Sequence, residues 1–361
     1  MATIYGCATL TIAALAGENS NSGLPGVSVR RPNQVTEIID GHTLFTVPPH
    51  ISSHAETAKW LSRAWTLQEN LLSRRLSQFT ESQADFSCLR GTVVEGADID
   101  TMPEDYLFEH PTQPLVHMLT NEHEVDTQFS TEGRMQAFHG VLQAYTNRRM
   151  TDESDSLNAF LGMLTVFQRR LFPEGYMHGL PLHSHPTSLG WMHDRLAEPN
   201  RREQFPTWSW TGWEGQAVIP RDLLNSFDGG AASIADVDFA LEVRSLRGNE
   251  LVVEGWITNL DIRTEPFSEV VVPEHEEAIA AVMERNFLHN NTLSTGRYSC
   301  LVVQRQCEKN SERRPPRQKA FLIVLEQDGN VVRRRTLITA TPFAGHDLTE
   351  VRLEKRLVHI I

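Results

Sequence analysis

The sequence predicts an α/β segment, then a helical region, then a β-rich C-terminal domain. Three observations carry this. Near residue 10 a short helix-like stretch runs into residues that alternate in the manner of a strand, and two more strand-like runs follow Leu72. Between Phe138 and Leu171 apolar residues recur at helical spacing. Beyond residue 205, strand-like runs flank short hairpin turn signals. The predicted boundaries are 1–92 for the α/β segment, 93–134 for an acidic linker, 135–204 for the helical region and 205–361 for the β-rich domain.

In the first segment, Ile4 to Ala14 reads as a short helix feeding the strand Leu10 to Ala14. Asn19 to Pro32 is rich in Asn, Ser, Gly and Pro and reads as a loop. Glu56 to Leu72 reads as one helix, with Leu61, Trp65 and Leu72 on a common face and Trp60, Ala64 and Leu71 beside it. Ser73 to Phe79 and Gln83 to Cys88 then read as strands. Acids such as Asp98, Asp100, Glu104 and Glu109 stud the linker, a pattern of solvated chain.

In the helical region Phe138, Val141, Leu142 and Tyr145 form one stripe. Thr151 to Asp155 is a polar break able to cap the next helix, which carries Leu157, Phe160, Leu161, Leu164, Phe167 and Leu171 and is stopped by Pro173-Glu174-Gly175. In the last domain Gly248-Asn249 joins Phe239–Leu246 to Glu250–Ile257. Asp328-Gly329-Asn330 joins Ala320–Glu326 to Val331–Ile338. Arg297 to Gln306 is a further strand, and Glu274 to Phe287 reads as an inserted helix.

Composition narrows the function classes. A formal net charge of -13 disfavours nucleic acid and anionic membrane as partners. Cys7, Cys88, Cys300 and Cys307 are scattered without a CxxC pair, which argues against a disulfide framework or structural zinc and suits a reducing compartment. The apolar start MATIYGCATLTIAALAG lacks the basic region of a signal peptide, so a cytoplasmic location is expected. Neither a Gly-rich phosphate loop nor a GxSxG elbow occurs, so a conventional NTPase or serine hydrolase is not expected.

Four clusters invite chemistry. His178, His183, His185 and His193 include an H-x-H pair, but Pro181 and Pro186 break the regular spacing a metal site needs, and loop packing is the favoured reading; no metal is expected. Cys300 and Cys307, expected to straddle a turn, read as buried thiols. Trp208, Trp210 and Trp213 form an aromatic row; Trp208 and Trp210 would share one side of a strand, and anchoring of a sheet is favoured over ligand stacking. The stretch SRAWTLQENLLSRRLSQF, residues 62–79, places Trp65 and Glu69 one helical turn apart among arginines. Glu69 is either a catalytic carboxylate whose pKa an apolar wall of Trp65 raises, or a partner of arginine fastening the helix to the sheet. The residue types favour the second.

The same stretch carries a resemblance. Arg63, Trp65, Thr66, Gln68 and Glu69, followed by Leu72, Ser73 and Arg75, resemble the last conserved block of the fungal heterokaryon incompatibility (HET) domain. Ile4-Tyr5, Ala8 to Ala14, the Gly23–Gly26 loop, Tyr145-Thr146-x-Arg148, Asp155 to Gly162 and Pro206 to Trp210 resemble neighbouring tracts of that family. The family's opening S-Y-x-W-G and W-I-D-x-x-C-I-x-Q blocks are missing, so the resemblance implies an N-terminally truncated, partial TIR-like or flavodoxin-like module. It further implies a regulatory, cell-death-associated role in fungal non-self recognition, exercised through protein partners and without catalysis or cofactor. The alternative it implies is a TIR-like hydrolase that cleaves NAD with Glu69, supported by Trp65. A pocket lacking its first strands favours the non-catalytic role.

Overall fold

The computed structural model describes residues 2–46, 48–49, 57–88, 91–95, 131–194, 199–224, 241–263, 269–271, 278–282, 294–307, 318–342 and 351–361. The chain divides into two compact units, Met1–Gln128 with Asn147–Arg170, and Phe129–Thr146 with Leu171–Ile361. Strands and helices mix in the first, and a large sheet dominates the second. Nearly all of the predicted acidic linker lies outside the described residues.

In the first unit, α1 (Ala2–Cys7) leads into β1 (Thr11–Ala14), as the sequence predicts. A hairpin follows, β2 (Thr36–Ile39) and β3 (His42–Phe45), turning at Asp40 and Gly41 with φ of 51° and 80°. Both turn residues are left-handed, the conformation that matches strand twist in a two-residue hairpin and that a glycine adopts without strain. Asp40-Gly41 is a hairpin signal in the sequence that the reading by alternation passed over, because every residue of both strands is exposed and no inside–outside pattern marks them.

The helix predicted over Glu56 to Leu72 is two short helices, α2 (Lys59–Ser62) and α3 (Thr66–Leu72); Glu56 itself lies outside the described residues. The break falls at Arg63, which is extended, with φ -87° and ψ 137°. There the backbone leaves the helical ladder for a tertiary partner: Arg149 N donates to Ser62 O (2.7 Å), and Ala64 N donates to Arg149 O (2.9 Å). Backbone groups freed by the break are thereby satisfied.

Next come β4 (Arg75–Phe79), β5 (Ala84–Cys88) and β6 (Gly91–Val94). They form a sheet in the order β1-β4-β5-β6. β1 runs parallel to β4, with Thr11 opposite Leu76, while β5 and β6 continue antiparallel. Ala13, Leu15, Ala58 and Leu76 make a small core beneath Trp60 and Leu61.

Later segments return to this unit. Asp152 caps a 3-10 turn, Glu153–Asp155, by accepting from Ser154 N at 2.9 Å, the capping role expected of that polar break. The predicted continuous helix from Leu157 is instead a 3-10 turn (Asn158–Phe160) and a helix that closes this unit, Leu161–Arg170. Phe160, Met163, Leu164 and Phe167 are buried. Leu161, placed on the apolar stripe by the sequence, is 46% exposed because the change from three to 3.6 residues per turn rotates it outward.

In the second unit α4 (Thr131–Thr146) buries Met135, Phe138, Val141, Leu142 and Tyr145, matching the predicted stripe; the Leu161–Arg170 helix is α5 in chain order. From Leu171 the expected helix content gives way to turns, a 3-10 segment (Pro186–Gly190), the strand pair β7 (Met192–His193) with β8 (Ala217–Val218), and α6 (Arg221–Leu224). Gly190, Pro181 and Pro186 in that stretch oppose helix.

The predicted hairpins are present: β9 (Glu242–Arg247) with β10 (Glu250–Arg263), and β14 (Gln318–Asp328) with β15 (Val331–Pro342). Between them lie β11 (Glu269–Val271), β12 (Ala278–Val282) and β13 (Gly296–Cys307), and β16 (Glu354–Ile360) ends the chain. The pairing closes on itself, because β11 pairs with both β10 and β12 along the path β12-β15-β14-β13-β10. Closure leaves no open edge on those strands. The expected helix over Glu274 to Phe287 is contradicted by β12: Ala278–Val282 pairs with β11 and β15, and ladder bonds override alanine's helix propensity. Leu260, Ile262, Cys300, Val302, Leu322, Val324 and Ile338 fill one face of the sheet. The other face is buried too, which is why Phe321 to Leu325 reads as an unbroken apolar run.

Candidate functional site

Glu69 is half-buried in the middle of α3. Its carboxylate accepts from Trp60 Nε1 at 3.2 Å and from the Tyr5 hydroxyl. Burial first, then the charge of Glu69 and that hydrogen bond, raise the Tyr5 pKa and keep the phenol a donor. Arg148 stands close by. Burial pushes its guanidinium down to about 10, and the charge of Glu69 acts against that shift. Arg148 Nη1 donates to Arg63 O at 3.2 Å and to Thr66 Oγ1 at 3.0 Å. The Thr66 hydroxyl in turn serves the carbonyls of Trp60 and Arg63. Tyr5 on α1, Trp60 on α2, Glu69 and Thr66 on α3, and Arg148 thus form one polar cluster around the α2–α3 break.

The remaining residues of the stretch do other work. Trp65, at the N-terminus of α3, directs its indole Nε1 to Asp155 Oδ2 at 3.2 Å, while Trp60 is the indole that reaches Glu69. Gln68, buried, donates through Nε2 to Ala159 O at 2.6 Å. Ser73 donates to Thr11 Oγ1 at 2.7 Å and to Glu69 O, tying the helix end to β1. Leu72 is buried, Arg63 is exposed, and the exposed Arg75 reaches Thr9 O at 3.4 Å. Sequence reasoning singled out Glu69 but missed its surroundings. Tyr5 and Arg148 stand in tracts that carry the family resemblance, and Trp60 lies nine positions before Glu69; only the chain's return at 148 brings them together.

The other clusters pack. His185, buried, sits edge-on to Phe172 at 5.0 Å, and burial pushes it down to about 4. His178 stands edge-on to Trp208 at 5.3 Å and meets Gly248 O at 3.2 Å. His183 is exposed. Among the described residues no group of three His, Cys, Asp or Glu could hold a metal ion. Cys300 and Cys307 do not straddle a turn: both lie on β13, Cys300 near its middle and Cys307 at its end, because that strand runs on to Cys307. Burial pushes the Cys300 thiol up to about 12, which leaves it a core residue.

Trp208 and Trp210 lie in a turn and a 3-10 segment (Trp210–Gly212) rather than on a strand. They anchor all the same. Trp208 Nε1 donates to Asn249 O at 2.8 Å, Trp210 Nε1 to Gly179 O at 3.2 Å, and Trp213 Nε1 to Thr207 O at 2.9 Å. Among the described residues no helix is long and apolar enough to cross a membrane.

A parallel strand pair joined through two short helices, with a polar cluster on the second, defines a small α/β module carrying its own sequence block. Residues 1–69 match the model of the family described as Heterokaryon incompatibility protein (HET). The similarity is confined to this segment, and the match ends at Glu69. No curated protein and no solved structure matches the chain.

Proposed function

We propose that this chain is a heterokaryon incompatibility-type regulatory protein that acts through protein contacts, in the cytoplasm, in fungal non-self recognition and the cell death it controls. It uses no cofactor and performs no catalysis of its own. The observation that carries the non-catalytic reading is the engagement of Glu69. Its carboxylate is held by Trp60 and Tyr5 within one unit and balances Arg148. A carboxylate so committed joins three chain segments, and two of its acceptor positions are already filled. The contact reading is supported by the β2–β3 hairpin and the residue before it: Val35, Ile38, Ile39, Leu44 and Phe45 are all more than half exposed. We read the small sheet as part of a TIR-like, flavodoxin-like module. The parallel β1–β4 pair supports that reading, while antiparallel β5 and β6 depart from a wholly parallel sheet.

The test is incubation of the purified chain, and of Glu69→Gln, with NAD. The expected result is no nicotinamide release from either, with Glu69→Gln less stable than the unaltered chain. Nicotinamide release that disappears in Glu69→Gln would overturn the reading and establish NAD cleavage.

A further inference from the structure

The second unit buries an arginine that pairs with no acid among the described residues. β15 carries three arginines in a row. The outer two pair with acids, Arg333 with Asp328 at 3.4 Å and Arg335 with Glu326 at 3.4 Å. Arg334 points the other way and is 4% exposed. Its guanidinium lies over the Trp191 ring, 4.0 Å from the centroid, and Nη2 donates to Trp191 O. Nε is buried without a partner among the described residues. The Trp191 face and one carbonyl offset part of the desolvation, but neither supplies a counter-charge.

Two more arginines and a histidine gather at the same place. Arg202, 7% exposed, donates to Trp213 O. Arg201 lies over the Trp213 ring at 5.3 Å. His193 stands edge-on to both Trp191, at 5.2 Å, and Trp213, at 6.2 Å, and its Nδ1 is buried without a partner among the described residues. Burial, then the charges of Arg334 and Arg202, push this imidazole down to about 3, against a hydrogen bond with the Gln216 backbone that raises it. Arg334 and Arg202 both act on His193, and Arg201, which feels the charge of Glu203, shares the Trp213 ring with it. A tetrahedral oxyanion fits the counter-charge that Arg334 lacks among the described residues, since guanidinium N–H groups recognise it well.

We propose that Arg334, Arg202 and His193, walled by Trp191 and Trp213, bind a phosphate-class oxyanion, either free phosphate or the phosphoryl group of a nucleotide. The experiment is thermal unfolding of the full chain, titrated with inorganic phosphate or with AMP at constant ionic strength, with chloride as the control. A saturable rise in Tm is expected. Saturation by phosphate at concentrations equal to or below those of AMP identifies the free ion, and tighter AMP binding identifies the nucleotide. Arg202→Gln is expected to weaken the apparent affinity about tenfold. Because Arg334→Met could fail to fold, the second readout uses the unaltered chain: in phosphate the His193 ring, followed by NMR, should titrate at higher pH, since a bound anion offsets Arg334 and Arg202. A Tm in both ligands equal to that in chloride, an undiminished response in Arg202→Gln, or a His193 titration indifferent to phosphate overturns the proposal.

Discussion

Glu69 shows at the scale of one residue how a carboxylate becomes part of a frame. Its indole partner is Trp60, so Trp60→Phe should keep the ring's packing and remove one charge-assisted hydrogen bond. The expected loss is about 1–3 kcal/mol by urea unfolding. Glu69→Gln should couple to it, with a double-mutant interaction well away from zero. Histidine burial gives a pH dependence. His185 titrates near 4 in the folded chain, below the ordinary value for an unfolded histidine. A depressed histidine pKa means that the unfolded state binds the proton more readily. Stability from this group is therefore intact above about pH 6.5 and is lost as pH falls toward 4. Tm should drop over that window, and His185→Phe should flatten the drop. A profile unchanged by the substitution would remove His185 as its cause.

At the scale of elements, close approach decides which helices pair. Gly162 near the start of α5 faces the side-chain amide of Gln68 on α3, and a Cβ there would collide with Gln68 Oε1 and lie 3.3 Å from Ala2 Cβ. Gly162→Ala should destabilise by about 1–3 kcal/mol through overpacking. Adding Gln68→Ala should recover part of that loss in chemical denaturation, even though Gln68→Ala alone destabilises by losing its bond to Ala159 O. Recovery distinguishes a steric clash from a propensity effect, because alanine is the better helix former. The Arg63 break belongs to this scale as well. It follows from a strand-like bridge between Arg63 and Arg149, and no local pattern around Arg63 announces it.

At the scale of the whole molecule the two units interleave along the chain. α4 belongs to the unit that holds the large sheet, although more than sixty residues separate it from β8. Thr146 Oγ1 accepts from Ala217 N at 2.8 Å, and Tyr145 meets Trp210 edge-on at 5.6 Å. A fragment of residues 205–361 therefore lacks a helix that covers its own apolar side chains. It is expected to lose the cooperative unfolding transition that a longer fragment, residues 129–361, retains, as read by near-UV circular dichroism. Equal transitions in both would show that α4 is dispensable.

The sequence by itself determined the elements whose signal is local. Alternation and turn chemistry specified β9 to β10 and β14 to β15, and helical periodicity specified α4 with Phe138, Val141, Leu142 and Tyr145 inside. It also singled out Arg63 to Glu69 as part of the block that carries the family resemblance, and the family match covers those residues. Tertiary structure decided what depends on partners far along the chain. It split the Glu56–Leu72 helix through Arg149, made a strand of Ala278–Val282 by pairing both its edges, and gave Glu69 the donors Trp60 and Tyr5 where the sequence suggested Trp65. The physical reason is the same in each case. A hydrogen bond or buried charge takes whichever partner the fold brings within about 3 Å, and distance in space is not encoded in local periodicity.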